Sequence, residues 1–141
     1  MALPEHIHLE IVTPERQLFS GPVDDVTVPS NTGYLGILPG HAPLLAELGI
    51  GEISYGVGGR REFMSCSWGF VEVLPDRVVV LAQAAERASE IDEKRAQEAK
   101  SRAEMRLVSK DPNTDFVRAQ LALLRAVSRL DAAKHSRRKS R

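Results

Sequence analysis

The 141-residue sequence contains one cysteine, Cys66, only 5% aromatic residues, and no glycine after Gly69. A single cysteine excludes an internal disulfide and any zinc site built on several thiolates. No apolar run approaches the ~18 residues of a membrane span, and "MALPEHIHLEIV" has neither the basic start nor the apolar stretch of a secretory signal. A reducing, cytosolic-type compartment is the expectation. Also missing are the phosphate loop G-x-x-x-x-G-K-[ST], the turn G-x-G-x-x-G, the elbow G-x-S-x-G and the helix H-E-x-x-H, so no catalytic constellation is visible. Cys66 has no basic partner at a recognisable spacing and reads as a small core residue rather than a nucleophile. His6 and His8 share a strand face and with His41 would supply three metal-ligating nitrogens; an exposed first strand explains them equally well, because no acidic or thiolate ligand is visibly placed. No metal is expected.

What is present divides into two parts. Net charge is zero, but residues 1–85 hold 4 Lys+Arg against 10 Asp+Glu, and residues 86–141 hold 15 against 9. Of 8 prolines only Pro112 lies beyond Pro75. The first part alternates apolar and polar residues in "HIHLEIVT", has β-branched runs in "DDVTVPS" and "VVVLA", and places Gly58-Gly59 and Pro75-Asp76 where tight hairpins need them. Eight to ten short strands forming an antiparallel β-sandwich or barrel are predicted for residues 1–85.

From Ala84 onward the apolar period becomes 3.6. A first helix is predicted over about Glu86 to Ser109, with Ala85, Ala88, Ala96, Ala99, Ala103 and Leu107 on one stripe and Asp92 in the middle of it. "KDPNTD" breaks the pattern, with Asp111 as N-cap and Pro112 at the first helical position of a second helix running to about Ala133. Phe116, Ala119, Leu123, Val127 and Leu130 form its apolar stripe; Val117, Leu121 and Leu124 form a second beside it, with Arg118, Arg125 and Arg129 opposite. The short link folds the two into an antiparallel hairpin over 86–141, ending in the basic, frayed tail "KHSRRKSR". Alanine buries little area at about 25 cal/mol per Å² but favours helix strongly, so the hairpin is expected to stay helical when undocked.

The hairpin register brings Asp92 and Arg95 level with Arg125 to Arg129, while Arg102 lies nearer the turn. Like charges at i, i+4 ask for an anion, and guanidinium forks match phosphate oxygens. A carboxylate on an alanine surface can accept from an adenine amino group or a ribose hydroxyl. Intrahelical pairs Glu90–Lys94, Asp92–Arg95 and Glu98–Arg102 are the simpler account of the same charges. The basic tail also raises an RNA-binding reading, which the acidic first part, without a basic aromatic-lined face, argues against; no nucleic acid partner is expected.

Three segments in one order resemble the epsilon subunit of bacterial F-type ATP synthases: "YLGILPGHAPLLAELGIGEI" (34–53) is similar to its G-x-L/I-x-I/L-P-x-H-x-P segment, "SWGFVEVLPDRVVVLA" (67–82) to its strand pair, and "EIDEKRAQEAKSRAE" to the start of its C-terminal hairpin. The resemblance implies a β-sandwich followed by two helices, no catalytic activity of its own, and a place in the central rotor, where it couples proton flow to ATP synthesis. The partners it implies are the gamma subunit, the c-ring and the alpha/beta catalytic head, on the cytoplasmic face of the bacterial inner membrane, with membrane association only through the complex. The helices would alternate between a compact form and an extended one that blocks ATP hydrolysis, placing Arg129, Lys134, Arg137 and Arg138 against the beta subunits. Ser30, Asn31, Gly33 and His41 match the ring- and gamma-facing region; His41 is either an interface residue or a turn histidine satisfied locally. Some bacterial members bind ATP on the compact hairpin through I/L-D-x-x-R-A, which stands here as Ile91, Asp92, Arg95 and Ala96, with Glu86, Arg102, Arg125 and Arg129 at the remaining positions. No cofactor is required by this reading; ATP, with or without magnesium, is a regulatory ligand. A free-standing ATP sensor is the alternative.

Overall fold

The computed structural model describes residues 2–139. Seven strands come first: β1 (Ile7–Val12), β2 (Gln17–Val23), β3 (Asp25–Ser30), β4 (Gly33–Ile37), β5 (Leu44–Val57), β6 (Arg60–Leu74) and β7 (Arg77–Arg87); a 3-10 turn at Ala88–Glu90, α1 (Glu93–Leu107) and α2 (Phe116–Lys139) follow. The strands hydrogen-bond in the order β2-β1-β7-β6-β5-β3-β4 and fold over one another as the expected sandwich. Three details differ from the sequence expectation. The strands are seven rather than eight to ten, because β5 and β6 are single strands of 14 and 15 residues. Pairing is antiparallel except between β1 and β7, which run parallel, since the connection from the first strand to the last crosses the whole domain. The helices begin later than predicted.

Alternation works as read in β1, where Ile7, Leu9 and Ile11 are wholly buried. In β6 it breaks. Met64 and Cys66 face the core on one side of the break and Val71 and Val73 on the other, so the inward phase moves by one residue. The break lies at Trp68 and Gly69, whose φ values are +60° and +123°. The register of β6 with β5 and with β7 is the same on either side, so the left-handed pair re-aims side chains without adding a residue to the ladder or ending the strand. Gly69 has no alternative there: a Cβ would stand 2.0 Å from the Leu81 carbonyl oxygen. The Gly58-Gly59 turn, with φ +55° and +78°, joins β5 to β6 as expected.

Helix α1 starts at Glu93 rather than Glu86. Ala84, Ala85, Glu86 and Arg87 pair instead with Ser67, Cys66, Ser65 and Met64 of β6, so ladder hydrogen bonds override alanine's helix preference. Asp92 is therefore not in the middle of a stripe; it is the N-cap, its Oδ1 accepting from the Arg95 backbone N–H at 3.1 Å. The second correction has the same form. Asp111 accepts from the Asn113 N–H in the turn, and Asp115 caps α2 through the Arg118 N–H at 3.0 Å. At its far end α2 stays helical to Lys139, past the predicted Ala133 and into the basic tail; residues 140 and 141 lie outside the described residues.

The buried seam of the hairpin is made of small residues, Ala96 and Ala103 on α1 and Ala119, Ala126 and Ala133 on α2. Ala103 and Ala119 are equidistant from Asp111, as are Ala96 and Ala126. The larger residues of the predicted second stripe, Val117 and Leu124, are exposed instead, because each stands two residues, about 200° around the helix, from a seam alanine and faces away from it. Helix α1 packs on α2, and α2 packs on β5 and β6. Ser128 closes that junction, its buried hydroxyl donating to the Gly51 carbonyl at 2.6 Å. Two side-chain contacts follow along α2: His135 Nδ1 lies 2.8 Å from Glu52 of β5, and Arg137 pairs with Glu93 of α1. No helix among the described residues is long and apolar enough to cross a membrane.

The left-handed pair makes two opposed predictions for neighbouring residues. Gly69→Ala should lower stability by about 2–4 kcal/mol, read from the denaturant midpoint, because it adds both a clash and a left-handed alanine. Trp68→Gly, which relieves the left-handed φ, should leave the midpoint within about 1 kcal/mol of the parent.

Candidate functional site

The end of β7, the 3-10 turn and the first turn of α1 form one wall of a joint between sheet and hairpin, and α2 forms the other. Two clefts open there. The smaller, about 310 Å³, is lined by Glu86, Glu90, Asp92, Arg95, Ala96 and Arg129. The larger, about 360 Å³, runs between β6, β7 and α2, with Arg16, Trp68, Glu86, Arg125 and Arg129 among its walls. Glu86 and Arg129 line both. Arg129 Nε stands 3.2 Å from Glu86 Oε1, and that oxygen is out of water without a well-directed hydrogen bond. A buried carboxylate oxygen in this condition is open to a donor such as a ribose hydroxyl.

Of the residues predicted for nucleotide binding, Glu86, Asp92, Arg95, Ala96 and Arg129 converge on the smaller cleft, and Arg125 joins Glu86 and Arg129 in the larger. Ile91, half-buried, ends the 3-10 turn. Arg102 lies seven residues beyond Arg95, roughly 10 Å along α1, exposed and outside both clefts. Guanidinium groups and a capped carboxylate beside a small apolar patch match the oxygens, hydroxyls and planar surface of a nucleotide. The intrahelical pairing of Glu90 with Lys94 does not form, because Glu90 precedes the helix.

Glu90 belongs to a contact that sequence spacing did not reveal. Arg16, in the loop between β1 and β2, donates to both Glu90 oxygens at 2.8 and 3.1 Å. Arg87 donates to Glu90 Oε1 at 3.2 Å and to the Leu18 carbonyl at 2.6 Å. The two guanidinium groups pin the linker from β7 to α1 against the sheet. Arg16 and Glu90 are 74 residues apart, and nothing local marks either one.

The region expected to meet partners is separate. Ser30, Asn31 and Gly33 form the β3–β4 turn, held by Ser30 Oγ contacts to Gly33 and Thr32 and by the Asn31 amide on Glu47. His41 Nδ1 lies 2.6 Å from the Ala42 carbonyl, so the local satisfaction foreseen as one of its two readings is present. Around these residues Tyr34 and Leu38 are more than 60% exposed. Phe70 and Leu81, cross-strand neighbours at least half exposed, open a second apolar surface on the sheet. Lys134, Arg137 and Arg138 are exposed at the end of α2. Among the described residues no cluster of His, Cys, Asp and Glu is placed to hold a metal; His6 faces Asp24 at 3.3 Å and His8 lies 3.4 Å from Ser20 Oγ. Cys66 is buried, and desolvation pushes its thiol up to about 12, so it is inert as a nucleophile.

The linker clamp carries a pH dependence. Hydrogen bonding from Arg16, followed by the Arg87 backbone N–H, holds the Glu90 carboxyl below its ordinary value. The folded protein therefore releases this proton at lower pH than the unfolded chain, and the stabilisation is complete above the usual carboxylate range. It is lost as pH falls through the folded value. Glu90→Gln should flatten the acid limb of a stability-against-pH curve below about pH 5 while leaving its slope near neutrality unchanged.

Comparison with known proteins agrees with this division of the chain. Residues 6–88 match the family described as "ATP synthase, Delta/Epsilon chain, beta-sandwich domain", and residues 89–134 match "ATP synthase, Delta/Epsilon chain, long alpha-helix domain". The ATP synthase epsilon chain of Syntrophobacter fumaroxidans is 47% identical over 131 residues, covering 93% of this chain and 98% of its own. That of Halalkalibacterium halodurans is 48% identical over 128 residues, covering 90% and 96%. Among solved structures, a chain of the Euglena gracilis mitochondrial ATP synthase, in its OSCP/F1/c-ring assembly, superposes with a TM-score of 0.82 at 25% identity over 96% of this chain and 85% of its own. With both halves matched in order and nearly half the residues shared with bacterial relatives, the chain belongs to the delta/epsilon family of ATP synthase subunits.

Proposed function

We propose that this chain is the epsilon-type, non-catalytic subunit of a bacterial F-type ATP synthase. The sandwich is its fixed part. Through the β3–β4 turn, the Pro39–His41 turn and the apolar sheet surface at Phe70 and Leu81 it joins the gamma subunit and the c-ring, so that proton-driven rotation is coupled to ATP synthesis at the alpha/beta head. It lies on the cytoplasmic face of the inner membrane and is held there by the complex. The solved relative, which belongs to a mitochondrial F1/c-ring assembly, supports a place within such a complex.

The hairpin is its regulatory part. In the compact form described above, ATP sits at the joint between sheet and hairpin; in an extended form the basic end of α2, with Arg129, Lys134, Arg137 and Arg138, meets acidic surface of the catalytic beta subunits and slows ATP hydrolysis. The observation that carries the ATP reading is the convergence of Glu86, Asp92, Arg95, Ala96 and Arg129 on one cleft, from three different elements. Occupancy then favours the compact form by the difference in affinity between the two forms.

Two measurements test the two halves of this reading. Titration of the isolated chain with ATP, with and without magnesium, should move the NMR signals of Asp92, Arg95, Arg125 and Arg129 saturably below millimolar concentration. Asp92→Asn retains a good N-cap and removes the charge, so it should weaken ATP by about tenfold while α1 keeps its stability. Asp92→Ala should do both harms, costing about 1 kcal/mol of stability as well. Unmoved signals at millimolar ATP would retire the site. For the switch, adding the chain to a head depleted of this subunit should lower ATP hydrolysis several-fold, and replacing Lys134, Arg137 and Arg138 by Gln should restore most of it. Equal inhibition by parent and variant would rule out the basic end of α2 as the inhibitory contact.

A further inference from the structure

Arg16 occupies an unusual position. It is the sheet's own guanidinium at the joint, carried on the β1–β2 loop, whereas the other arginines of the two clefts, Arg95, Arg125 and Arg129, all lie on the hairpin. It lines the larger cleft together with Arg125 and Arg129, yet its fork is closed on Glu90, which lines the smaller one. The Arg16 and Glu90 side chains are 42% and 33% exposed. Exchange of Glu90 for another planar or tetrahedral oxyanion therefore needs only rotamer changes at the surface and no movement of the core.

A carboxylate held in a bidentate guanidinium fork beside two further arginines, one of them without a carboxylate partner, is also the arrangement that an incoming phosphate would compete with. Arg125 has no carboxylate within ion-pair distance among the described residues, and Arg129 has Glu86 through its Nε alone. Glu90 would keep its second partner, Arg87, at 3.2 Å if Arg16 left. The linker would then remain tied to the sheet through Arg87 and the Leu18 carbonyl while Arg16 turned to a ligand.

We infer that Arg16 is a phosphate-binding residue supplied by the sheet, with Glu90 as the resident carboxylate that holds it until a nucleotide phosphate takes its place. This rests on the reading of the joint as an ATP site and adds to Glu86, the carboxylate that β7 supplies there, a cation from the sheet that holds the phosphates. A ligand held only by hairpin residues would travel with the hairpin when it undocks. One that also holds Arg16 is bound best when the hairpin is docked, which is the differential affinity a population shift requires.

The two ends of the pair separate this role from a merely structural one. Calorimetric titration of the full-length chain with ATP is compared across the parent, Arg16→Gln, Glu90→Gln and Arg16→Lys, with the ligand-free thermal midpoint of each recorded alongside. If Arg16 receives phosphate, Arg16→Gln weakens ATP by about tenfold, Glu90→Gln tightens it by removing the competitor, and Arg16→Lys recovers part of the loss. Inorganic tripolyphosphate should show the same order, and adenosine should not distinguish the four. If the pair only braces the linker, the Gln variants lower the midpoint together and shift ATP affinity in the same direction, which overturns the inference. ATP binding by the parent with no change in Arg16→Gln overturns it as well and leaves the ATP site standing. No ATP binding by the parent removes the site and this inference with it.

Discussion

The hairpin meets the sheet where α2 crosses β5 and β6, and the hydrogen bond from Ser128 to the Gly51 carbonyl is the fixed point of that crossing. A serine hydroxyl is small enough to sit between helix and strand, and donating 2.6 Å to a strand carbonyl it specifies one position of the helix along the strand. An apolar contact of the same size would tolerate sliding. With α2 fixed in this way, Arg125 and Arg129 stand over the end of β7, and the His135–Glu52 contact falls one and a half to two turns further along the helix. Both clefts are consequences of this placement, because each has β7 or its linker on one side and α2 on the other.

The sheet supplies the other half of the joint through a device that has nothing to do with charge. The left-handed pair Trp68 and Gly69 divides β6 into a half whose outward residues, Ser65 and Ser67, lie beneath α2 and a half whose outward residue Phe70 is open to solvent. Small polar residues lie where a helix must lie close, and a large apolar residue is presented where the sheet is free. One strand thus serves two surfaces, the regulatory joint and an apolar face open to a partner. The left-handed Trp68 is the conformational cost of changing phase inside a continuous ladder.

Period-two alternation, glycine-marked turns and the switch to helical period at residue 84 were enough to read the architecture, since each depends on local chemistry. The errors lie where distant chain segments decide. Alanines at 84 and 85 favour helix in isolation, but the β6 ladder offers them hydrogen bonds that a nascent helix end does not. Because of that, a residue read as a carboxylate stranded on an apolar stripe proved to be the cap that begins the helix, with "DEKR" as the start signal. Asp111, read as the cap of the second helix, gives way to Asp115, which stands nearer the uninterrupted apolar pattern. These shifts leave Asp92, Arg95 and Ala96 on one cleft, because their mutual spacing is the same whether the helix begins at residue 86 or 93. Arg102 keeps its spacing too and stands nearer the turn, where the hairpin register put it. Arg16 and Glu90 were illegible for a different reason: a contact across 74 residues has no sequence period.

The small residues of the seam bear on how such a hairpin can switch. Both helices carry their own aspartate caps, and α1 in particular is rich in residues of high intrinsic helix preference, so neither relies wholly on the sheet to remain helical. What docking adds is a modest apolar area between alanines, one buried hydrogen bond and a few half-exposed ion pairs. Ion pairs of that exposure are individually weak and are exchangeable with solvent, salt or another anion. Docked and undocked forms can then differ by little, and a ligand seated in the joint needs only a modest preference for the docked form to govern the balance. A leucine-rich seam would bind the hairpin more firmly and would for that reason leave any such ligand with nothing to decide.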